Sequence, residues 1–231
     1  MSSHPDPDAF RRLAQSSHWL WRSVEFVWSG DAMDPRRARI RRPADLVVTA
    51  LDGTVLHRYR ASRPMDGMWT ATGDRPWRRV SGVWPQDITP VFDDDGLVSD
   101  FPDVLTSVDV DQPFFRNYHW VAMLDPSEFA DTARFAWEPG DPHGVDVGDV
   151  RMVTHHGRPA LEAIVQSTPA YEPRCMCCAL LTGDLDMDTQ QWVPGVPATV
   201  RLDRGTGICV FVEHQGHERG VELDVEIVAA G

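Results

Sequence analysis

The residues from Tyr171 to Leu181, YEPRCMCCALL, place three of the four cysteines of the chain within four positions. Cys175 and Cys178 have Cys-x-x-Cys spacing, and Cys175 and Cys177 have Cys-x-Cys spacing. Thiolates at these spacings can point at one centre from a tight turn, and zinc takes four such ligands in a tetrahedron. The cluster therefore has three interpretations, which are a metal site, a thiol redox pair and a packed turn.

A zinc site in this cluster needs a fourth ligand from another part of the chain, because only three thiols are local. The candidates are one cysteine and three histidines, namely Cys209, His155, His156 and His214. Arg174 can instead lower the pKa of a neighbouring thiol, which gives the redox interpretation. Packing ranks ahead of both, since cysteine behaves as a small apolar residue. The favoured interpretation of His155 to Gly157 is a turn, with a ligand role as the lesser alternative. If the two histidines were in a strand, they would point to opposite faces, and only one could join a site.

Five of the seven residues from Arg36 to Arg42 are arginine, in a chain whose net charge is −13. The arginines at positions 37, 39 and 41 alternate with Ala38 and Ile40, which is the period of a strand with one charged face. Such a face could hold a phosphate, a lipid head group or an acidic partner, because arginine binds oxyanions through paired N–H donors. The favoured interpretation is a solvated face that pairs with the surplus carboxylates.

The composition narrows the classes of function. The chain has 231 residues, of which 42% are hydrophobic and 25% are charged, and this composition indicates a globular protein with a sizeable core. All 22 basic residues are arginine, which suggests a high-GC bacterial genome, and the 35 acidic residues argue against general nucleic-acid binding. The chain has no nucleophile-elbow, phosphate-loop or dinucleotide-binding glycine pattern. We therefore expect a protein that is not an enzyme.

The N-terminal residues, MSSHPDPDAFRRLAQSS, lack the apolar run of a secretory signal. No other stretch approaches the length of a membrane span. We therefore expect a cytoplasmic protein whose cysteines are reduced.

Nine tryptophans supply large apolar side chains, and most are expected in the core. Trp69, Trp77 and Trp84 fall in a region rich in proline and glycine, where loops rarely need such large anchors. With Trp120, they are the residues predicted to line an apolar pocket or contact surface.

The elements that must position these residues are mostly strands. A short helix is predicted from Asp6 to Ser16, and alternating runs around an Asp-Gly turn predict an antiparallel meander over residues 18–60. Residues 61–132 are predicted to be a central loop and helix insertion. Pro113 to Ala133 fits a helix best, with Pro113 in the first turn. Asp125-Pro126 breaks this pattern, and one helical turn is expected to resume over Ser127 to Asp131. Further strands are predicted at Arg134 to Glu138, Asp149 to Thr154, Pro159 to Gln166, Ala198 to Asp203, Ile208 to His214 and Val221 to Val228. In the last of them the apolar Val221, Leu223, Val225 and Ile227 face one way, and Glu222, Asp224 and Glu226 face the other. The fold class is therefore α+β, with one domain over residues 1–231, its N-terminal helix within residues 1–17, and a curved antiparallel sheet.

Two stretches carry a resemblance to known proteins, WRSVEFVW and VRLDRGTGICVFVEHQGHERGVELDVEI. With the order of the elements, they resemble the LolA-type lipoprotein carriers and the carrier-like domain of the sigma-factor regulator RseB. NYHWVAMLDPSEFAD and YEPRCMCCALL are similar to uncharacterised proteins of high-GC Gram-positive bacteria. The resemblance implies a half-barrel, an unclosed barrel whose concave face holds acyl chains or an apolar partner.

The sequence thus predicts a binding protein for an apolar, lipid-like ligand or a hydrophobic protein partner, with no membrane span. The alternative is a zinc-binding or thiol-redox protein that uses Cys175, Cys177 and Cys178. Zinc is the one cofactor that this alternative calls for.

Overall fold

A computed structural model describes residues 5–30, 33–61, 68–70, 78–80, 84, 87–100, 115, 119–130, 142–173, 178–189, 191–216 and 221–231. The helices in these ranges are α1 (Pro7–Leu20), α2 (His119–Leu124) and a 3-10 helix (Ser127–Phe129). The strands are β1 (Ser23–Gly30), β2 (Met33–Arg41), β3 (Asp45–Ala50), β4 (Val55–Arg60), β5 (Met68–Thr70), β6 (Arg78–Val80), β7 (Val91–Phe92), β8 (Val98–Asp100), β9 (Val145–His155), β10 (Arg158–Ser167), β11 (Gly183–Leu185), β12 (Trp192–Pro194), β13 (Ala198–Asp203), β14 (Cys209–His214) and β15 (Val221–Ala230).

Nine of these strands form one antiparallel sheet in the order β4-β3-β2-β1-β15-β14-β13-β10-β9. The N-terminal and C-terminal meanders join where β1 pairs with β15. The sheet is curved and open, with β4 and β9 at its two ends. The predicted α+β half-barrel with an N-terminal helix is therefore confirmed.

Alternating side chains give the sheet one apolar face. Phe26 and Trp28 of β1 are buried, and they pair with Ile227 and Val225 of β15, which are buried as well. Because successive side chains of a strand point to opposite faces, these four lie on the same face of the sheet. We call this concave face the inner face, and the opposite one the outer face.

Helix α1 packs on the inner face. Its first turn begins at Pro7, and the side chain of Asp6 accepts a hydrogen bond from the Ala9 amide, which caps the helix. The helix ends at Leu20, beyond the predicted end. Gly207, in the turn between β13 and β14, has φ 69°, and a Cβ there would lie 2.6 Å from the Leu13 carbonyl oxygen. Glycine thus allows this turn to contact α1.

The helical stretch from Pro113 to Ala133 is broken at Asp125-Pro126, as its sequence predicts. Within the described residues it consists of α2 and the 3-10 helix, separated by Asp125 and Pro126. Proline disfavours helical backbone at the residue before it, which explains the break. The strand predicted from Arg134 to Glu138 lies outside the described residues. No helix in the described ranges is long and apolar enough to cross a membrane.

Candidate functional site

Two of the four cysteines, Cys178 and Cys209, are among the described residues. Cys178 is half-buried and Cys209 is fully buried on the inner face, where its thiol lies 3.7 Å from the Phe211 carbonyl oxygen. Burial raises the pKa of the Cys209 thiol well above its usual range, so this thiol is protonated near neutral pH. Cys175, Cys177 and Arg174 lie outside the described residues, and the zinc and redox interpretations of the cluster therefore stay predictions.

The residues on either side of the cysteine cluster bind one buried carboxylate, that of Glu128, which the sequence analysis did not single out. Oε1 of Glu128 accepts hydrogen bonds from the Tyr171 hydroxyl at 2.6 Å and from the Leu180 amide at 2.9 Å. A second buried pair links α1 to the end of α2, with His18 Nε2 2.9 Å from Asp125 Oδ1. The sequence feature that could have indicated these two buried carboxylates is the pair of acidic residues, Asp125 and Glu128, inside the apolar stretch LDPSEF. These contacts fix the layer that covers the inner face.

His155 and His156 meet on the outer face. His156 and Gly157 form the two-residue turn between β9 and β10, with φ of 44° and 79°. The left-handed backbone at His156 turns its ring back toward the preceding strand. Its Nε2 lies 2.7 Å from Asp224 Oδ1, and His155 Nε2 lies 3.3 Å from the same oxygen. The turn predicted for this stretch is therefore observed at His156 and Gly157, and it brings the two rings together on one face, where a strand would place them on opposite faces.

These three side chains are the group of metal-ligating residues that lies close together in the described part of the chain. The group contains neither described cysteine. The Arg201 guanidinium lies 3.2 Å from His155 Nδ1, and arginine can only donate. The His155 proton is therefore on Nε2, from which it is donated to the Val225 carbonyl oxygen at 3.1 Å. A metal on Nε2 would have to displace that proton.

The buried ring of His155 is neutral near neutral pH. Burial lowers its pKa, the charges of His156 and Arg201 lower it further, and Asp224 and the Val225 carbonyl act in the opposite direction. The arrangement is thus a hydrogen-bonded network of the outer face.

Arginines near this network are held by buried carboxylates. Glu162 of β10 accepts hydrogen bonds from Arg151 of β9 and from Arg201 of β13, with 2.7 Å between Nε of each arginine and the carboxylate. Burial would raise the pKa of Glu162, but the bonds from Arg201 and Arg151 outweigh it, and the pKa is lowered. Arg158 binds Asp203 through two N–H donors, at 2.7 and 3.0 Å. We call the outer face of β9, β10, β13 and β14 the paired half.

An arginine-lined trough occupies the outer face at the other end of the sheet. Its walls are five exposed arginines of β2 and β4, namely Arg37, Arg39, Arg41, Arg58 and Arg60. Its floor is three half-buried residues of β3, namely Asp45, Val47 and Thr49. A groove of about 540 Å³ is lined by Arg39, Arg41 and Arg58 among others. We call this surface the arginine trough.

The tryptophans predicted to line a pocket have different places. Trp120 of α2 is buried against the inner face, with its ring centroid 5.3 Å from that of Phe26 and 5.9 Å from that of Trp28. Trp84 is half-buried. The side chain of Trp69 and the whole of Trp77 lie outside the described residues. Where it is described, the inner face is filled by side chains of the chain itself.

Comparisons with known proteins give a likeness of fold. No protein-family model matches the chain, and no curated protein matches it. LprF from Mycobacterium bovis aligns with 99% of this chain and 95% of its own, at 11% identity and a TM-score of 0.37. The Pseudomonas aeruginosa MucA/MucB complex aligns with 98% of this chain, at 15% identity and a TM-score of 0.38, and the chain spans 59% of that structure. The resemblance to these two structures is one of fold alone.

Proposed function

We propose that the protein is a non-enzymatic binding module whose inner face holds an apolar, lipid-like ligand or a hydrophobic partner. The observation that supports the proposal is the way in which this apolar face is covered. Helix α2 has only six residues, and the five from Trp120 to Leu124 are all buried. A ligand that displaced this helix would meet a large apolar surface.

Helix α2 is suited to such an exchange because it depends on tertiary contacts. An isolated helix of two turns is unstable in water, so packing and a few polar contacts must hold it in place. One of these is the bond from the Ser17 hydroxyl to the Leu124 carbonyl oxygen, at 2.7 Å. An acyl chain that replaced Trp120 against Phe26 and Trp28 would bury comparable apolar area, at about 25 cal/mol per Å².

The test is titration with a fluorescent fatty acid, followed by hydrogen exchange at saturation. We expect saturable binding, and faster exchange in α2 while β15 keeps its protection, because the ligand takes the place of the helix. Trp120→Leu should bind more tightly than the wild type, since a smaller side chain competes with the ligand. Trp192→Leu is the matched control, a buried tryptophan outside α2 whose ring packs against Tyr171. Absence of saturable binding by wild type and Trp120→Leu alike would reject the proposal.

The alternative is a zinc-binding or thiol-redox protein built on Cys175, Cys177 and Cys178. Elemental analysis of untagged protein, with titration of its thiols under the reducing conditions of the cytoplasm where we place it, decides between the two. Stoichiometric zinc that is lost in Cys178→Ser would favour the alternative. Four titratable thiols without zinc would remove the zinc interpretation.

A further inference from the structure

We propose that the arginine trough is a binding site for a phosphate-type anion, either a free phosphate group or the head group of an anionic lipid. The site lies on the outer face, so it does not depend on the function proposed for the inner face. Pairing of the strands, charge and the shape of the surface support it.

Strand pairing aligns the walls of the trough. Val47 of β3 pairs with Arg39 on one side and with Arg58 on the other. In the neighbouring row, Asp45 lies between Arg41 and Arg60 in the same way. Adjacent strands are about 4.8 Å apart, so arginines on β2 and β4 face each other across about 10 Å. Two guanidinium groups on long side chains can meet on one oxyanion over that width.

The charge in the trough is poorly compensated. Arg37 donates to Glu25 Oε1 at 2.8 Å. The side chains of four of its arginines have no hydrogen-bond or ion-pair partner within the described part of the chain. These are Arg39, Arg41, Arg58 and Arg60. The acidic groups that border the groove are Glu25 and Asp45. A chain with 35 acidic and 22 basic residues could have paired these arginines, yet this surface stays positive.

The hairpin next to the trough bears on the source of the phosphate. Leu51, Val55 and Leu56, around the turn between β3 and β4, are exposed large apolar residues. Basic residues beside exposed apolar ones are the combination that binds at the surface of an anionic membrane. A lipid head group would use the trough and the hairpin together, whereas a free phosphate would use the trough alone.

The test compares two double variants that change the net charge equally. Arg39→Gln/Arg58→Gln removes both walls of the trough, and Arg12→Gln/Arg204→Gln removes two surface arginines elsewhere. Calorimetry with inorganic phosphate and pyrophosphate, and sedimentation with phosphatidylglycerol or neutral phosphatidylcholine vesicles, measure the two sources. We expect the trough variant to bind at least about tenfold more weakly, and the control to bind like the wild type.

Each outcome decides the proposal. Binding of phosphate or pyrophosphate that is lost in the trough variant assigns a free phosphate site. Sedimentation with anionic vesicles alone, lost in the same variant, assigns a lipid head group and should also weaken in Leu51→Ser/Leu56→Ser. Equal losses in the two double variants would show a general charge effect and overturn the proposal, as would no saturable binding of any probe. Neither result depends on the binding of an apolar ligand at the inner face.

Discussion

The two ends of the outer face differ in whether their arginines are paired with carboxylates. In the paired half, Arg151, Arg158 and Arg201 each bind a carboxylate that is almost fully buried. In the arginine trough, the exposed Arg39 and Arg58 have no such partner within the described residues. Both ends belong to the same sheet, so strand geometry alone does not explain the difference.

The difference separates arginines that stabilise the fold from arginines available to a ligand. A buried carboxylate must be hydrogen-bonded, since losing its partners costs several kcal/mol, so the paired half is fixed by folding. Exposed arginines on a strand contribute little to stability and keep their donors free for another molecule. The following changes test that separation, from the largest expected effect to the smallest.

Asp203→Ala should have the largest effect on the free energy of unfolding. Asp203 also accepts hydrogen bonds from the Gly205 amide and the Thr206 hydroxyl, so its loss leaves Arg158 and the turn between β13 and β14 without an acceptor. We expect a loss of about 3 kcal/mol, measured by urea denaturation. The control is Asp94→Ala, at an exposed turn carboxylate, which should change stability by less than about 0.5 kcal/mol. Equal effects in the two variants would contradict the structural role of Asp203.

Glu162→Gln should cost about 2 kcal/mol at neutral pH, because the amide keeps the shape and loses the charge that binds Arg151 and Arg201. The lowered pKa of Glu162 means that its contribution is present above the ordinary carboxyl pKa of about 4.3. It is lost as the pH falls through the lower pKa of the folded state. Denaturation at several pH values should show the wild type and the variant converging in acid. A constant difference down to strongly acidic pH would show that the charge is not the cause.

His155 should make the protein less stable in mild acid. Its pKa is lowered in the folded state, so the unfolded chain binds more protons once the pH falls below about 6.5. Stability is therefore full above that pH and declines below it, until the folded pKa is passed. In His155→Gln the slope of stability against pH over this interval should be smaller. An unchanged slope would place the responsible group elsewhere.

Arg39→Gln/Arg41→Gln/Arg58→Gln should leave the free energy of unfolding within about 0.5 kcal/mol of the wild type, because exposed residues without partners contribute little. Removal of like charges that face each other across β3 should make any change slightly stabilising. A loss similar to that in Glu162→Gln would mean that these arginines are structural, and the contrast between the two ends would disappear. Thermal denaturation in low salt is the measurement.

Local pattern was enough to predict the sheet. The strand from Ala198 to Asp203 has its predicted bounds, and the alternation of β15 gave its buried and exposed faces. The α+β class follows from the same alternation of apolar and polar residues, because that pattern depends only on residues two positions apart in the sequence. The break in the helical stretch of the insertion could be predicted as well, because Asp125-Pro126 interrupts its pattern, and Ser127–Phe129 resumes it as one turn of 3-10 helix.

The sites depend on contacts between distant residues, and the sequence could not supply those. The meeting of His155 and His156 rests on a left-handed residue in a turn and on Asp224, which comes from another strand. The arginines of β2 were visible as a charged face, but the register that sets Arg58 opposite them was not. The ties from Glu128 to Tyr171 and Leu180 likewise join segments more than forty residues apart.

The most direct test follows the Nε–Hε signals of the arginines by NMR during a titration with inorganic phosphate. Because every basic residue is an arginine, this experiment observes both ends of the outer face at once. The account predicts saturable shifts for Arg39, Arg41 and Arg58, while Arg158 and Arg201 stay unchanged in their carboxylate pairs. Shifts of similar size at both ends, or none that saturates, would contradict it.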